Sequence, residues 1–232
     1  MKENQEEKPK IFPLGDSELT IEFGNEISAR VNNRVLKLAN FFKKNSFAGF
    51  VEIVPAYSSL TIFYDVLKVR KNFPEFATAF EAVKSFAENA LKNSQDLQLK
   101  ETRLIKIPVC FDEEFALDLD FVAASSNLTS EKVVEIFLGK TYRVFMLGFL
   151  PGFSYMGEVN ERIVTPRKKS PRTKVPKGSV GIAGKQTGIY SLESPGGWQI
   201  IGKTNIEPFT PDADAPTFLQ AGDKVKFYES KF

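Results

Sequence analysis

Apolar positions recur along this chain at two periods, and the switches between them outline its elements. Two short apolar segments lie around Gly15-Asp16 between Ile11 and Gly24, and the second, Leu19 to Phe23, alternates as a strand does. From Ser28 to Asn45 the period lengthens: Val31, Val35, Leu38, Phe41 and Phe42 fall on one helical face, with Lys and Arg opposite. Phe50–Pro55 and Leu60–Tyr64 read as two strands joined by a turn over Ala56–Ser59. After Pro74 a second helix is predicted to about Leu91, its stripe formed by Phe76, Phe80, Val83, Phe86, Ala87 and Ala90.

The resulting order is β-α-β-β-α, with Leu97–Leu99 or Leu104–Val109 available as a last strand. That is the split βαβ pattern of a ferredoxin-like domain; another small α+β sandwich is the alternative. Residues 1–10 read as a disordered tail, residues 11–96 as this first domain and residues 97–232 as a second. The boundary is placed in the polar stretch Asn93–Lys100. The second domain begins with a strand around Ile105–Phe111. A carboxylate-rich piece, Asp112–Asp120, leads into a helix to about Ala124. Thr129 or Ser130 caps another over Glu131–Leu138, with Glu131 in the first turn where the helix dipole favours it. From Tyr142 onward Gly, Pro and β-branched residues recur at short intervals, which predicts a barrel or sandwich of short strands ending at Lys224–Tyr228.

Composition narrows the chemistry. At 232 residues, 42% apolar and 26% charged, the chain has the make-up of a globular protein of one or two domains. A formal charge of +2 argues against nucleic-acid or membrane binding as its business. Histidine is absent, which excludes Ser-His-Asp and Cys-His catalysis and the usual zinc sites. Acid–base work falls to carboxylates, Lys, Tyr or a partner chain. Cys110 is the single cysteine, so no disulfide framework exists; the charged start and the lack of a long apolar run predict a cytoplasmic protein.

Charge is unevenly spread. From Ile163 to Leu192 there is no acidic residue, while Arg167, Lys168, Lys169, Arg172, Lys174, Lys177 and Lys185 all fall inside. Pro166, Pro171 and Pro176 recur every five residues and stiffen this stretch, so Arg167 and Arg172 are candidates to clamp a carboxylate or phosphate; a solvated loop is the plainer reading. Phe149 and Phe153 read as core, whereas Tyr155 and Trp198 suit either a core or a pocket rim. The acidic group Asp112, Glu113, Glu114, Asp118 and Asp120 reads as a helix start. Gly197–Thr204 (GWQIIGKT) matches the phosphate-loop pattern, yet Trp, Gln, Ile and Ile between the glycines make a strand, and no helix can follow through Pro208 and Pro211.

The runs YRVFMLGFLPGFSYMG from Tyr142, TPRKKSPRTKVPKGSVGIAGKQTGIY from Thr165 and SPGGWQIIGKT from Ser194 closely resemble the KipI / allophanate hydrolase subunit 1 family. That family includes the B component of bacterial 5-oxoprolinase. The resemblance extends to GDSELTIEFG from Gly15, VEIVPAYSSLTIFYD from Val51 and IPVCFDEEF from Ile107, and so covers nearly the whole chain.

It implies an α+β protein with an N-terminal ferredoxin-like domain and a C-terminal cyclophilin-like β-barrel. It also implies ATP-dependent opening of 5-oxo-L-proline to L-glutamate, in complex with a KipA-like protein (the C component) and a LamB/YcsF-like protein (the A component). ATP, with Mg2+, would lie at the interface with the partner, and the substrate is a small anionic amide. Within the motif the resemblance implies Arg167, Arg172 and Gln186 as catalytic residues. Gly148, Phe149, Tyr155, Thr187, Tyr190, Gly196, Gly197 and Trp198 would bind substrate, and no residue would ligate a metal. Alternatives carried by the family are a KipI-like inhibitor of a sporulation histidine kinase and a component of an allophanate- or urea-directed enzyme. The chain departs from the family where it has Phe137 in place of a His before the Tyr-x-Val segment, and Ser58 and Phe63 where Arg and His are usual.

Overall fold

The computed structural model describes residues 8–232 apart from Asp96 and Lys100. Two compact units meet in sequence between Glu101 and Thr102, five residues beyond the expected boundary. Of the predicted tail, residues 1–7 lie outside the described residues, and Lys10 already opens a strand.

The first unit contains β1 (Lys10–Pro13), β2 (Glu18–Glu22), α1 (Ala29–Lys44), β3 (Phe50–Pro55), β4 (Ser59–Tyr64), α2 (Val66–Asn72) and α3 (Ala79–Asn93). Ser28 caps α1 by accepting from the Val31 amide. Thr78 and Glu81 form a reciprocal capping box at the start of α3. The sheet is antiparallel in the order β1-β2-β4-β3. Leu19 and Ile21 of β2 and Leu60, Ile62 and Tyr64 of β4 alternate inward against Val31, Val35, Leu38 and Phe42 of α1 and Ala82, Val83, Ala87 and Ala90 of α3. Alternation and helical stripe thus meet on one apolar layer, which is what stabilises the unit.

The ferredoxin-like expectation needs amendment here. Leu97–Leu99 forms no strand, and Leu104–Val109 belongs to the second unit. The fourth strand is instead β1, paired with β2 through the turn at Gly15, whose φ of 74° only glycine adopts freely. The β-α-β-β-α run therefore has its edge filled from before it, by a hairpin. Helix α2 leaves no mark on the apolar pattern because its seven residues bury only Val69.

The second unit contains β5 (Leu104–Val109), α4 (Leu119–Ser125), α5 (Ser130–Gly139), β6 (Tyr142–Leu147), β7 (Ser154–Gly157), a 3-10 turn at Glu161–Ile163, β8 (Arg172–Val175), β9 (Ser179–Ala183), β10 (Gln186–Ile189), β11 (Ser194–Gly196), β12 (Gln199–Lys203) and β13 (Lys224–Glu229). Seven strands form one sheet, β12-β9-β10-β7-β6-β13-β5, antiparallel except for the parallel β13–β5 pair. Just past β5, Cys110 exchanges two backbone hydrogen bonds with Lys203 of β12, at 2.8 and 2.9 Å. The two edges are thereby drawn together and the sheet nearly closes, consistent with a cyclophilin-like barrel.

Aliphatic side chains fill it: Ile107, Val144, Met156, Val180, Ile182, Ile189, Ile201 and Val225, with Val122 of α4 and Val133 of α5 against them. Phe137, where the family was expected to carry His, is fully buried among Phe111, Tyr142 and Phe227. Its carbonyl accepts a hydrogen bond from the Tyr142 hydroxyl. The residue here is a core aromatic with no part in proton transfer. Gln199–Lys203 is β12, a strand, so the phosphate-loop match is not a phosphate loop. The β8 and β11 strands form a separate two-stranded ribbon.

Candidate functional site on the outer barrel face

Strand register places two bare backbone positions beside an aromatic one. Tyr155 of β7 stands opposite Gly188 of β10, and Gly188 opposite Gly181 of β9. Their neighbours Met156, Ile189, Val180 and Ile182 point into the barrel, so this row faces outward. A Cβ on Gly188 would sit 2.7 Å from the Ser154 carbonyl and 3.0 Å from the Phe153 ring; one on Gly181 would sit 3.1 Å from Trp198 Cβ. Missing side chains on the strands are what admit large ones above them.

Those large side chains are aromatic. Phe153 is central, meeting Phe149, Tyr155, Tyr190 and Trp198 edge to face at centroid distances of 5.4, 4.9, 5.3 and 5.4 Å. This is the arrangement that ring quadrupoles prefer. Val175 of β8, Ala183 and Ile200 complete the cluster. Tyr190 reaches the ribbon so closely that a Cβ on Gly196 would overlap its hydroxyl. Phe149 contradicts its reading as core: it is 59% exposed, at φ 65° in the turn between β6 and β7. A non-glycine residue held in the left-handed region costs about 1 kcal/mol or more, a cost that persists where surroundings dictate the conformation. Gly148 precedes it, and Gly152 (φ 77°), at the far end of the turn, packs on the Pro208 carbonyl.

Arg167 is held over this cluster. Its guanidinium lies 5.8 Å from the Trp198 ring centroid. Both neighbours of Arg167 are tied to both neighbours of Trp198: Gln199 Nε2 donates to the Pro166 carbonyl at 2.9 Å, and the Lys168 amide donates to the Gly197 carbonyl at 2.7 Å. Burial pushes the phenols of Tyr155 and Tyr190 up, and the Arg167 charge opposes this in both.

Arg172 does something different from what the sequence suggests. Both its terminal nitrogens donate to Asp118, at 2.6 and 2.8 Å, and Lys168 Nζ donates to the same carboxylate at 2.9 Å. Asp118 is 5% exposed and also accepts from the Ile200 amide, while its own amide donates to the Ile200 carbonyl. Burial alone would push this carboxyl up; the hydrogen bonds from Arg172, Lys168 and Ile200 outweigh it and hold the group below the usual range. The fork of Arg172 is thus taken, and its expected role as an anion clamp does not stand.

Thr187 is corrected too. It points into the barrel with Ile182 and Met156, fully buried, its hydroxyl donating to the Gly181 carbonyl at 2.9 Å. Gln186, one residue away, falls by register on the outward face with Gly188 and is half-buried. Gly197 lies beside Pro171 and the Lys168 carbonyl. The face therefore gathers Gly148, Phe149, Tyr155, Arg167, Gln186, Tyr190, Gly196, Gly197 and Trp198, and leaves out Arg172 and Thr187.

The uniformly positive stretch is also less open than it reads. Lys174 pairs with Glu193, Lys177 with Glu207 and Lys185 with Glu161. Among the described residues no carboxylate pairs with Arg167. Sequence reasoning misses Asp118, whose only outward sign is an acid in a helix-start cluster. No three His, Cys, Asp or Glu among the described residues are grouped to hold a metal ion.

A nearly closed barrel-like sheet with a ribbon-bordered aromatic face, preceded in sequence by a smaller four-stranded unit, defines a two-part α+β protein. Residues 9–219 match the family described as "Carboxyltransferase domain, subdomain C and D", and the chain belongs to that family. It is 46% identical to the 5-oxoprolinase B component of Bacillus subtilis (strain 168), over 94% of this chain and 91% of that protein. It is 35% identical to the corresponding 5-oxoprolinase B component of Escherichia coli O157:H7, over 97% and 98%. Among solved structures it is similar to TTHA0988, with a TM-score of 0.78 and 32% identity, covering 93% of this chain and 40% of that one.

Proposed function

We propose that this chain is the B component of an ATP-dependent 5-oxoprolinase, which opens 5-oxo-L-proline to L-glutamate together with a KipA-like protein and a LamB/YcsF-like protein. The observation that carries this reading is 46% identity to a 5-oxoprolinase B component across nearly the full length of both chains. The site's chemistry agrees with the substrate class. A five-membered lactam bearing one carboxylate offers a flat apolar ring and one negative charge. The aromatic face around Phe153 suits the ring, and the fork of Arg167 suits the carboxylate. Gln186, with an amide donor and acceptor on the same face, is suited to orient the lactam N–H and C=O.

A lactam is resonance-stabilised, and coupling to ATP supplies the driving force for opening it. The phosphate-loop match is β12, a strand, and in this reading ATP with its Mg2+ is held at the interface with the partner. The chain alone is inactive in this reading. It contributes binding, orientation and exclusion of water.

The test is reconstitution. The KipA-like and LamB/YcsF-like proteins with this chain are expected to form glutamate from 5-oxoproline in proportion to ATP hydrolysed, and omission of this chain is expected to abolish turnover. A complex that assembles and shows no substrate-dependent ATP hydrolysis would overturn the proposal.

A further inference from the structure

The buried carboxylate of Asp118 has no place in the site as described so far, yet it bonds to three residues that support it. Its oxygens receive Arg172, Lys168 and the Ile200 amide. Lys168 and Arg172 bracket the segment that follows Arg167, and Ile200 packs in the aromatic cluster two residues after Trp198. Asp118 itself sits at the entry to α4, which the packed helix residues Leu119 and Val122 anchor to the barrel core. One carboxylate therefore joins a helix, a loop and two strands, β8 and β12.

The electrostatic consequence is as definite as the mechanical one. Without Asp118, three cations (Arg167, Lys168 and Arg172) would stand near one aromatic face, a suitable seat for phosphate or another dianion. With it, the fork of Arg172 is filled and Lys168 is turned to the same acid. Among the described residues Arg167 is the one cation of this segment over the rings, its flanks tied at Pro166 and Lys168. A single guanidinium fork matches a single carboxylate. We propose that Asp118 is the positioning and specificity residue of this site: it withdraws Arg172 and Lys168 from ligand binding, fixes Arg167 over Trp198, and so selects a compact monocarboxylate against dianions. This deepens the 5-oxoproline reading and rests on it for the identity of the ligand, but the selection rule itself concerns charge alone.

Trp198 is the only tryptophan, so its fluorescence reports the site directly in the purified full-length chain, with no need for turnover. Titrations with 5-oxoproline, a panel of small monocarboxylates and inorganic phosphate are to be compared across wild type, Asp118→Asn, Asp118→Asn with Arg172→Gln, Arg172→Gln and Arg167→Gln. Wild type is expected to bind the monoanion and to ignore phosphate. Asp118→Asn frees two cations, and its phosphate affinity is expected to rise about tenfold or more, the scale of one charged hydrogen bond; adding Arg172→Gln is expected to reverse that gain. A merely structural acid would produce loss, never a gain that a second substitution removes.

If Asp118→Asn fails to fold, the single variants decide. Arg167→Gln is expected to weaken monoanion binding about tenfold or more, and Arg172→Gln less than about threefold. Equal losses from the two arginines would overturn the proposal, as would phosphate binding unchanged in a folded Asp118→Asn. Should other monocarboxylates bind with the predicted charge selectivity while 5-oxoproline does not, the function reading falls and this inference stands. Should turnover of 5-oxoproline be intact while selectivity ignores Asp118, the reverse holds.

Discussion

The two faces of the barrel sheet are built from the same short strands and obey opposite rules. Inward, the alternate residues are fully buried and mostly aliphatic, Val180, Ile182, Ile189 and Ile201 among them, with Thr187 a polar exception. Outward, the row through Tyr155, Gly188 and Gly181 carries one aromatic and two bare positions, and Phe149 and Arg167 stay open to water. The inner face maximises apolar area removed from water. The outer face gives up such area at Gly181 and Gly188 and gains a surface on which a ring and a charge can be received. Stability and recognition are thereby assigned to opposite sides of one sheet, separated by a single backbone thickness.

That contrast can be broken by substitution. Phe137→Ala, on α5 in the core that the inner face packs against, is expected to cost about 3–5 kcal/mol in denaturant unfolding. Loss of activity should then track the folded fraction. Gly188→Ala, on the outer side, places a methyl against Ser154 and Phe153 and is expected to cost about 1–3 kcal/mol by overpacking. Its Trp198 emission should also shift, which the inner substitution leaves to global unfolding. Thr187→Val removes a buried hydrogen bond to Gly181 and is expected to cost about 1 kcal/mol with ligand affinity retained; a selective loss of affinity would return Thr187 to the site. Phe149→Ala should change stability by about 0.5 kcal/mol or less, since the ring is exposed, while weakening ligand binding in the Trp198 titration.

Acid sharpens the comparison further, because a buried carboxylate, Asp118, underlies the outer face. Asp118 has a folded pKa below its ordinary value of about 3.9. Its contribution to stability is therefore complete above that value and is lost as pH falls through the lower, folded one. Asp118→Asn should flatten this acid limb of the unfolding curve without altering its slope above neutrality. An unchanged acid limb would mean that the three donors do not hold the carboxylate as the geometry indicates.

Legibility follows locality. The helices α1, α3 and α5 are readable from their apolar stripes, and α5 also from its Thr129 cap. The start of α3 is read too early, after Pro74, because Phe76 extends the stripe ahead of the true Thr78 cap. The barrel strands are readable from Gly, Pro and β-branched spacing, and the aromatic motif from its resemblance to a family. The closing strand of the first unit is not, because Leu104–Val109 has the same local pattern whichever sheet receives it. Arg172 misleads because its partner lies 54 positions away, and cation-rich spacing looks the same whether or not a buried acid answers it.

By itself, then, the chain's order of residues determined where most helices and strands form, that it has no histidine to offer, and which motif carries the aromatic face. Pairing partners, inward or outward orientation, and the neutralisation of Arg172 by Asp118 were decided only by tertiary structure. The reason is physical: secondary structure answers to neighbours within a turn or two, whereas sheet register and buried charge answer to groups that meet only once the barrel has closed.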